Sequence, residues 1–292
     1  LRDADGLAGF GEAAPWPGFG TEYAAEALAT LRAVAARIAG AEVDPEDGAG
    51  DGVQLPAHAP AARAALHGAL WDLAARRAGR PLAAALSARA QVVAQPPLRQ
   101  VEVSALLAAR EPEGVRAEAV RAREAGHRAV KLKLGSLPLA LDVARVRAAR
   151  EGIGPQVALR GDANGAWTLR EAQAAVEALA EFDLEYLEQP VAADDFAGLA
   201  ALRGCSTVRI AADESVAAEA DALRVVEAGA VDAVVLKPAM LGGPARALAI
   251  AARAQRAGLS VVFTHAFETA VGAHHALHCA AAWGDATAVH GL

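Results

Sequence analysis

The chain is poor in cysteine and aromatics: Cys205 and Cys279 are its only cysteines, and aromatic residues make up 4% of 292 positions. Two cysteines cannot frame a disulfide-stapled fold. Stability must come from apolar packing, and free thiols fit a reducing, cytoplasmic setting. Basic residues are in deficit, with 28 Lys and Arg against 35 Asp and Glu, a net charge of −7. No basic run is present to neutralise a phosphate backbone, which argues against nucleic acid as a partner. Long apolar runs are also missing. The longest stretch without Asp, Glu, Lys or Arg, from Thr269 to Gly284, is mostly alanine and holds three histidines, the signature of a helix in a globular protein and not of a membrane span. No signal-peptide pattern opens the chain. It begins Leu1-Arg2-Asp3 without methionine and runs into a hairpin signal, Asp5-Gly6, so a pairing strand is expected upstream. The end at His290-Gly291-Leu292 is equally abrupt. Oligomeric state is not legible.

Against these absences stands a hydrophobic content of 54%, much of it alanine, enough for a sizeable core with high helix propensity. The organisation changes along the chain. Residues 1–95 read as a small α+β unit. It has a short strand (Leu7 to Glu12), a Pro15-Trp16-Pro17-Gly18-Phe19-Gly20 loop, and helices near Glu22–Ala39 and Pro60–Ala78. A Gly/Asp-rich loop from Asp44 to Gly52 separates the helices. Gln95-Pro96-Pro97 marks a boundary. Beyond it, residues 96–292 alternate apolar strands with alanine-rich helices. The strand candidates are Val101–Leu107, Ala129–Leu134, Val157–Asp162, Leu184–Leu187, Val208–Ala211, Ala233–Lys237, Ser260–Thr264 and Ala286–His290. Strand–helix alternation predicts a parallel sheet, and eight strands in about 190 residues predict a compact α/β fold, a (β/α)7β barrel of the TIM type.

In such a barrel, chemistry belongs to the C-terminal strand ends. Five segments fall there: Lys131-Leu132-Lys133, Asp162-Ala163-Asn164, Glu188-Gln189-Pro190, Asp213-Glu214-Ser215 and Lys237-Pro238. The steps from Asp162 to Glu188, Asp213 and Lys237 are 26, 25 and 24 residues, each about one strand, one helix and two loops. Asp162, Glu188 and Asp213 are therefore expected to converge as ligands of a divalent cation. Three oxygens that leave room for water and substrate suit Mg²⁺. Helix N-capping is the alternative use of each carboxylate alone. Lys131 and Lys133 share a strand face. If that face looks inward, burial and mutual repulsion lower a lysine pKa and make one of them a base. Lys237 is expected opposite Lys133, with a Schiff-base role as the alternative. Arg160 binds a substrate carboxylate, holds Lys133, or is a structural ion-pair partner. Asn164 lies near the metal shell or in a turn, and Glu214 reaches the metal or Lys133, or points away. Trp16 and Phe19 form an apolar lid or a packed loop. His274, His275 and His278 read as ordinary helix surface.

The ordered set Lys-x-Lys, Asp-x-Asn, Glu-Gln-Pro, Asp-Glu-Ser and Lys-Pro resembles the enolase superfamily, and the two lysine sets resemble its muconate-lactonizing-enzyme subgroup. FGEAAPWPGFGTE is similar to the mobile capping-domain loop of that subgroup and HGALWDLAARRAGRPL to its capping helix. A finer resemblance, to the o-succinylbenzoate synthase family, rests on LRGDANGAWT, FTHAFETAVG and AVHGL. Thr264-His265 departs from the serine pair often seen in those synthases at strand seven. The Asp-x-Asp pair that epimerases of the subgroup often carry at strand eight is absent. The resemblance implies a Mg²⁺-dependent lyase of menaquinone biosynthesis, with Mn²⁺ able to substitute. The reaction is dehydration of 2-succinyl-6-hydroxy-2,4-cyclohexadiene-1-carboxylate to o-succinylbenzoate. It implies Lys133 as the base, Lys237 as the opposing cation, and Thr264 and Gly291 at positions that hold the succinyl carboxylate. The rival implications are an N-succinylamino acid racemase or dipeptide epimerase, and a lactonising cycloisomerase.

Overall fold

The computed structural model describes residues 1–40, 55, 58–90 and 96–292. The expected Asp44–Gly52 loop, and Gln95 of the expected boundary, lie outside the described residues.

Seven strands form one parallel sheet in sequence order: β2 (Ala105–Leu107), β3 (Ala129–Lys133), β4 (Ala158–Asp162), β5 (Leu184–Glu188), β6 (Ile210–Ala212), β7 (Ala233–Leu236) and β8 (Ser260–Phe263). A second, two-stranded parallel piece pairs β1 (Glu102–Val103) with β9 (Val289–His290). It touches both edges of the larger sheet. Ser104, between β1 and β2, donates its amide to His290 O (2.9 Å), and Gly291 N–H donates to Phe263 O (2.9 Å). The result is a curled parallel α/β sheet. The expected strand Val101–Leu107 is thus broken at Ser104.

Helices cross over between the strands: α4 (Pro112–Glu124), α5 (Leu139–Ile153), α6 (Leu169–Leu179), α7 (Phe196–Cys205), α8 (Glu219–Ala228), α9 (Pro244–Arg256) and α10 (Ala270–Trp283). Their ends carry local signals. Proline stands in the first turn of α4 and α9, where its missing N–H is no loss. Thr168 and Glu171 form a capping box on α6. Gly229 ends α8 in the left-handed conformation. The strands are buried on their helix-facing side. Val130 and Leu132 are fully covered, and every residue of β7 is buried. Each such aliphatic side chain contributes about 1.5–3 kcal/mol by leaving water. Gly161 leaves room on this side of β4 for the leucine side chains around it; a Cβ there would lie 2.8 Å from Leu134 Cδ1 and make that side chain shift.

The N-terminal part holds α1 (Ala24–Ile38), α2 (Pro60–Arg77) and α3 (Leu82–Ala90), the last of which was not expected as a separate helix. Gly6 N–H donates to Asp3 O (3.1 Å), so Asp5-Gly6 does turn. The expected strand Leu7–Glu12 is absent apart from one bridge, Arg2 to Ala8. The reason is close packing on α2. A Cβ on Gly9 would lie 2.3 Å from Ala69 O, and one on Gly11 1.8 Å from Ala65 O. Glu12 continues across the molecule and caps α10, accepting from Thr269 N–H (2.7 Å), Thr269 Oγ1 (2.6 Å) and Gly272 N–H (2.9 Å). Among the described residues no helix is long and apolar enough to cross a membrane.

Candidate active site

Strand alternation places Lys131 and Lys133 on one face of β3, opposite the buried Val130 and Leu132. Register then sets their neighbours: Lys133 pairs with Asp162, Asp162 with Glu188, and Lys131 with Arg160. Lys133 Nζ donates to Asp162 Oδ2 (2.7 Å) and Asn164 Oδ1 (2.8 Å). Lys131 Nζ bridges Asp162 Oδ2 (3.0 Å) and Glu188 Oε1 (3.1 Å). Lys237, just past β7, is ion-paired with Asp213, just past β6. Its ammonium also lies 5.2 Å from the centre of the Phe19 ring, a cation–π contact worth about 0.5–2 kcal/mol. Asn164, in the left-handed conformation at φ 46°, donates from Nδ2 to Glu214 Oε1 (3.0 Å). The five segments therefore meet at one end of the sheet.

Asp162, Glu188 and Asp213 share the rim, with Lys131 and Lys133 bonded to Asp162, Lys131 also to Glu188, and Lys237 to Asp213; among the described residues no three of His, Cys, Asp or Glu are already drawn together as a metal cluster. One expectation changes here: Lys131 is not a lysine of lowered pKa. Burial works in that direction, but Glu188 and Asp162 outweigh it and push Lys131 above the ordinary lysine range. Asp162 is likewise opposed by burial, yet Lys131 and Lys133 hold it below the usual carboxylate range. Glu188 goes up, first through burial and then through the nearby Asp162 and Asp213 carboxylates. Burial also raises Glu214, with Asp213 adding to it. A set of hard oxygen donors that raise one another's proton affinity suits a divalent cation, so the residues fit Mg²⁺ chemically.

A cavity of 650 Å³ opens above these groups, and its lining includes Lys131, Lys133, Lys237, Asn164 and Glu214. Lys133 is the more accessible of the paired lysines, its side chain 44% exposed against 20% for Lys131. Phe19 lines the mouth, in the short 3₁₀ turn Pro17–Phe19. Thr264 and Gly291 line it too, but their donors are taken. Thr264 Oγ1 donates to Gly291 O (2.5 Å), and Gly291 N–H to Phe263 O. As arranged, they offer no free donor to a carboxylate.

Arg160 is not brought to this cavity. It is 2% exposed, donates from Nε to Glu185 Oε2 (2.6 Å), and stacks 4.9 Å over the Tyr186 ring. The side chains of Arg160, Glu185 and Tyr186 line a separate 240 Å³ cavity with Leu259 and Ser260, where the strands begin. In this arrangement Arg160 pairs with Glu185 and is bonded neither to Lys133 nor to any group of the larger cavity, as the ion-pair alternative expects. The helix-surface reading fails for His275, which is buried against Gly68 of α2, while His274 is exposed. Sequence reasoning assigned no role to Ser104, Leu106 or Phe267 and named His265 only as a departure from the synthase pattern; all four line the larger cavity. Strand ends and loops of this kind carry no charge or spacing signal. Only the uncommon aromatic in Thr264-His265-Ala266-Phe267 marked the place.

Comparison with known proteins adds two families of pattern. Residues 114–291 match the family described as "Enolase C-terminal domain-like". Residues 1–86 match the "Mandelate racemase / muconate lactonizing enzyme, N-terminal domain". The chain is 34% identical over 286 residues to the hydrophobic dipeptide epimerase of Enterococcus faecalis, covering 97% of this chain and 78% of that protein. It is 44% identical over 218 residues to the o-succinylbenzoate synthase of Mycolicibacterium smegmatis, covering 73% of this chain and 61% of the synthase. The crystal structure of the Enterococcus faecalis dipeptide epimerase complexed with Mg and the dipeptide L-Leu-L-Tyr superposes with a TM-score of 0.86 at 32% identity, covering 99% of this chain and 80% of that one.

Proposed function

This chain belongs to the enolase superfamily, in its mandelate racemase and muconate lactonizing branch, and from that premise we propose that it is a cytoplasmic o-succinylbenzoate synthase of menaquinone biosynthesis. In this reading residues 1–95 cap a barrel formed by residues 96–292, and the curled sheet closes into that barrel through β1 and β9. The observation that carries the reading is the charge of the cavity. Lysines face it from two sides, while the end of β9 contributes Gly291 and Leu292 and no carboxylate. That suits a dianionic substrate. The carboxylates in the lining, Asp213 and Glu214, are engaged by Lys237 and Asn164, so they favour the ammonium of a dipeptide less.

Lys133, accessible enough to exchange its proton with water, takes the proton α to the ring carboxylate. The C–H electrons move toward that carboxylate. Lys237 remains an ammonium and stabilises the developing charge from the opposite side. Lys131 stays charged between Asp162 and Glu188 and keeps those carboxylates in place. The C–O bond then breaks, hydroxide leaves with the proton returned from Lys133, and the ring becomes aromatic. Asp162, Glu188 and Asp213 would hold Mg²⁺, or Mn²⁺ in its place, which supplies electrostatic stabilisation of the carboxylate when bound. Phe19 and Trp16 keep water from the closed cavity.

A second reading, an N-succinylamino acid racemase or dipeptide epimerase, is favoured by the lysine on each side of the cavity, since racemisation needs two bases. A lactonising cycloisomerase would use the same groups. The full chain with Mg²⁺ is to be assayed for dehydration of 2-succinyl-6-hydroxy-2,4-cyclohexadiene-1-carboxylate and for racemisation of N-succinylamino acids. We expect dehydration to be much the faster and to stop in excess chelator. Faster racemisation would replace the synthase with the racemase, and full activity in chelator would remove the metal.

A further inference from the structure

Phe267 is the most exposed large apolar residue among the described residues, at 77%, and its backbone has φ 59°. A residue with a bulky side chain rarely adopts that left-handed conformation. Strain of this kind persists only where the surroundings hold it. Here they do, on both sides of the residue. Upstream, Thr264 Oγ1 donates to Gly291 O. Next to it, Phe267 N–H donates to His265 Nδ1 (3.3 Å) and Ala266 N–H to Glu268. Downstream, Thr269 is bonded through both its amide and its hydroxyl to Glu12. The loop is thus fixed to the N-terminal segment as well as to β9, and it displays an aromatic ring where a glycine or asparagine would be conformationally easier.

The ring has aromatic company. Its centre lies 5.1 Å from that of Trp16, tilted by 54°, and 5.9 Å from that of His265, nearly edge-on. Trp16 in turn lies 4.5 Å from Phe19, whose ring faces the Lys237 ammonium. Aromatic contacts therefore run without a break from Lys237 to Phe267, and all of these side chains line the one cavity that also holds Lys133. Leu106, 58% exposed, adds an aliphatic surface to the same lining. A solvent-facing apolar ring, held at the mouth of a cavity whose floor is charged, has no packing role that accounts for it.

We propose that Phe267, with Trp16, is a specificity-determining roof that selects substrates carrying an unsaturated six-membered carbon ring beside the reacting carboxylate. The carboxylate end meets the lysines, and the ring meets the aromatic wall by offset or edge contact. This deepens the synthase reading and rests on it for the identity of the ring. It explains why the strained position holds an aromatic residue. Because Phe267 is exposed, replacing it removes little from the core.

The test is calorimetric binding to the full chain with Mg²⁺, using two succinyl ligands: o-succinylbenzoate, which has the ring, and N-succinylglycine, which lacks it. The wild type is expected to prefer the ring ligand. Phe267→Gly, which suits the positive φ, should weaken o-succinylbenzoate about ten-fold, change N-succinylglycine less than two-fold, and leave the melting temperature unlowered. Phe267→Tyr should keep the ring preference. The proposal is overturned if the wild type binds the two ligands alike or binds neither, or if Phe267→Gly weakens both equally or neither. Failure of the synthase reading looks different: a wild type that prefers the ring ligand but does not dehydrate the cyclohexadiene keeps the roof and loses the reaction.

Discussion

The two ends of the curled sheet both hold buried charge, and they hold it differently. On β4, Arg160 and Asp162 are two residues apart and share a face. At the end where the strands begin, Arg160 is enclosed, bonded through Nε and a terminal nitrogen to one carboxylate, Glu185, and stacked on Tyr186. At the other end, Asp162 meets two ammonium groups, both of which line a large cavity. The first arrangement is closed: one cation, one anion, little room. The second is a shared one, with three lysines and four carboxylates counting Glu214, and access for a ligand. Buried charge alone does not mark a site. Charge that is shared among several partners and reachable from a cavity does.

Five tests can break or sharpen that contrast. The largest effect is expected at the open end. Lys133→Ala should lower exchange of the substrate α-proton with solvent deuterium by about 10³-fold or more, in the range of a lost general base, while the folded spectrum is kept. An unchanged exchange rate would move the base elsewhere. Asp162→Asn, Glu188→Gln and Asp213→Asn should each remove Mg²⁺-dependent turnover and Mg²⁺ binding measured by calorimetry.

At the closed end the effect should appear in stability instead. Arg160→Leu removes a buried guanidinium and its stacking, and Glu185, partly exposed, can then hydrate. A loss of about 2–3 kcal/mol is expected in urea unfolding, with kcat of the folded enzyme within a few-fold of wild type. A collapse of kcat without a stability change would return Arg160 to the active site.

The pH dependence of stability tests the enclosed part of the core. His67 is pushed down to about 4, first by burial and then by Arg246 and Arg63. His290 is also pushed down to about 4, by burial and then by Arg160. Both folded values lie below the unfolded value near 6.5, so the folded state favours the neutral rings. Their contribution is complete above pH 6.5 and is lost as pH falls toward 4. By pH 5 each should cost about 2 kcal/mol relative to pH 8. Urea midpoints for wild type and His290→Gln at the two pH values check this. A variant with the same acid sensitivity as wild type would show that His290 is not one of the groups responsible.

The smallest effect is expected at the lid. Phe19→Ala should lower kcat/KM for dehydration by roughly ten-fold, by loss of the ring over Lys237 and of water exclusion, and leave Mg²⁺ binding alone. No change in kcat/KM would make the turn merely structural.

Much of this was legible before folding. The strand-end segments and their even steps located Lys131, Lys133, Asp162, Glu188, Asp213 and Lys237 at one rim, because a parallel sheet repeats its register at each crossover. Asn164 and Glu214 were legible as neighbours of those groups, though not as bonded to each other. Phe267 was not, since an aromatic residue in a loop carries no periodic signal and its exposure depends on packing from Trp16. The strand expected at Leu7–Glu12 failed because alternation cannot report that two glycines press the backbone against a helix.

By itself the sequence determined which residues lie on the inner faces of the strands and in what order they reach the rim, since side-chain alternation and crossover length are local properties. Only the tertiary structure decided how the charges paired. Lys131 became the bridge between Asp162 and Glu188, its proton held more tightly and not more loosely, and Arg160 was enclosed with Glu185 at the far end. Pairing depends on distances of a few ångströms between strands distant in sequence, and Coulomb energy changes steeply over that range.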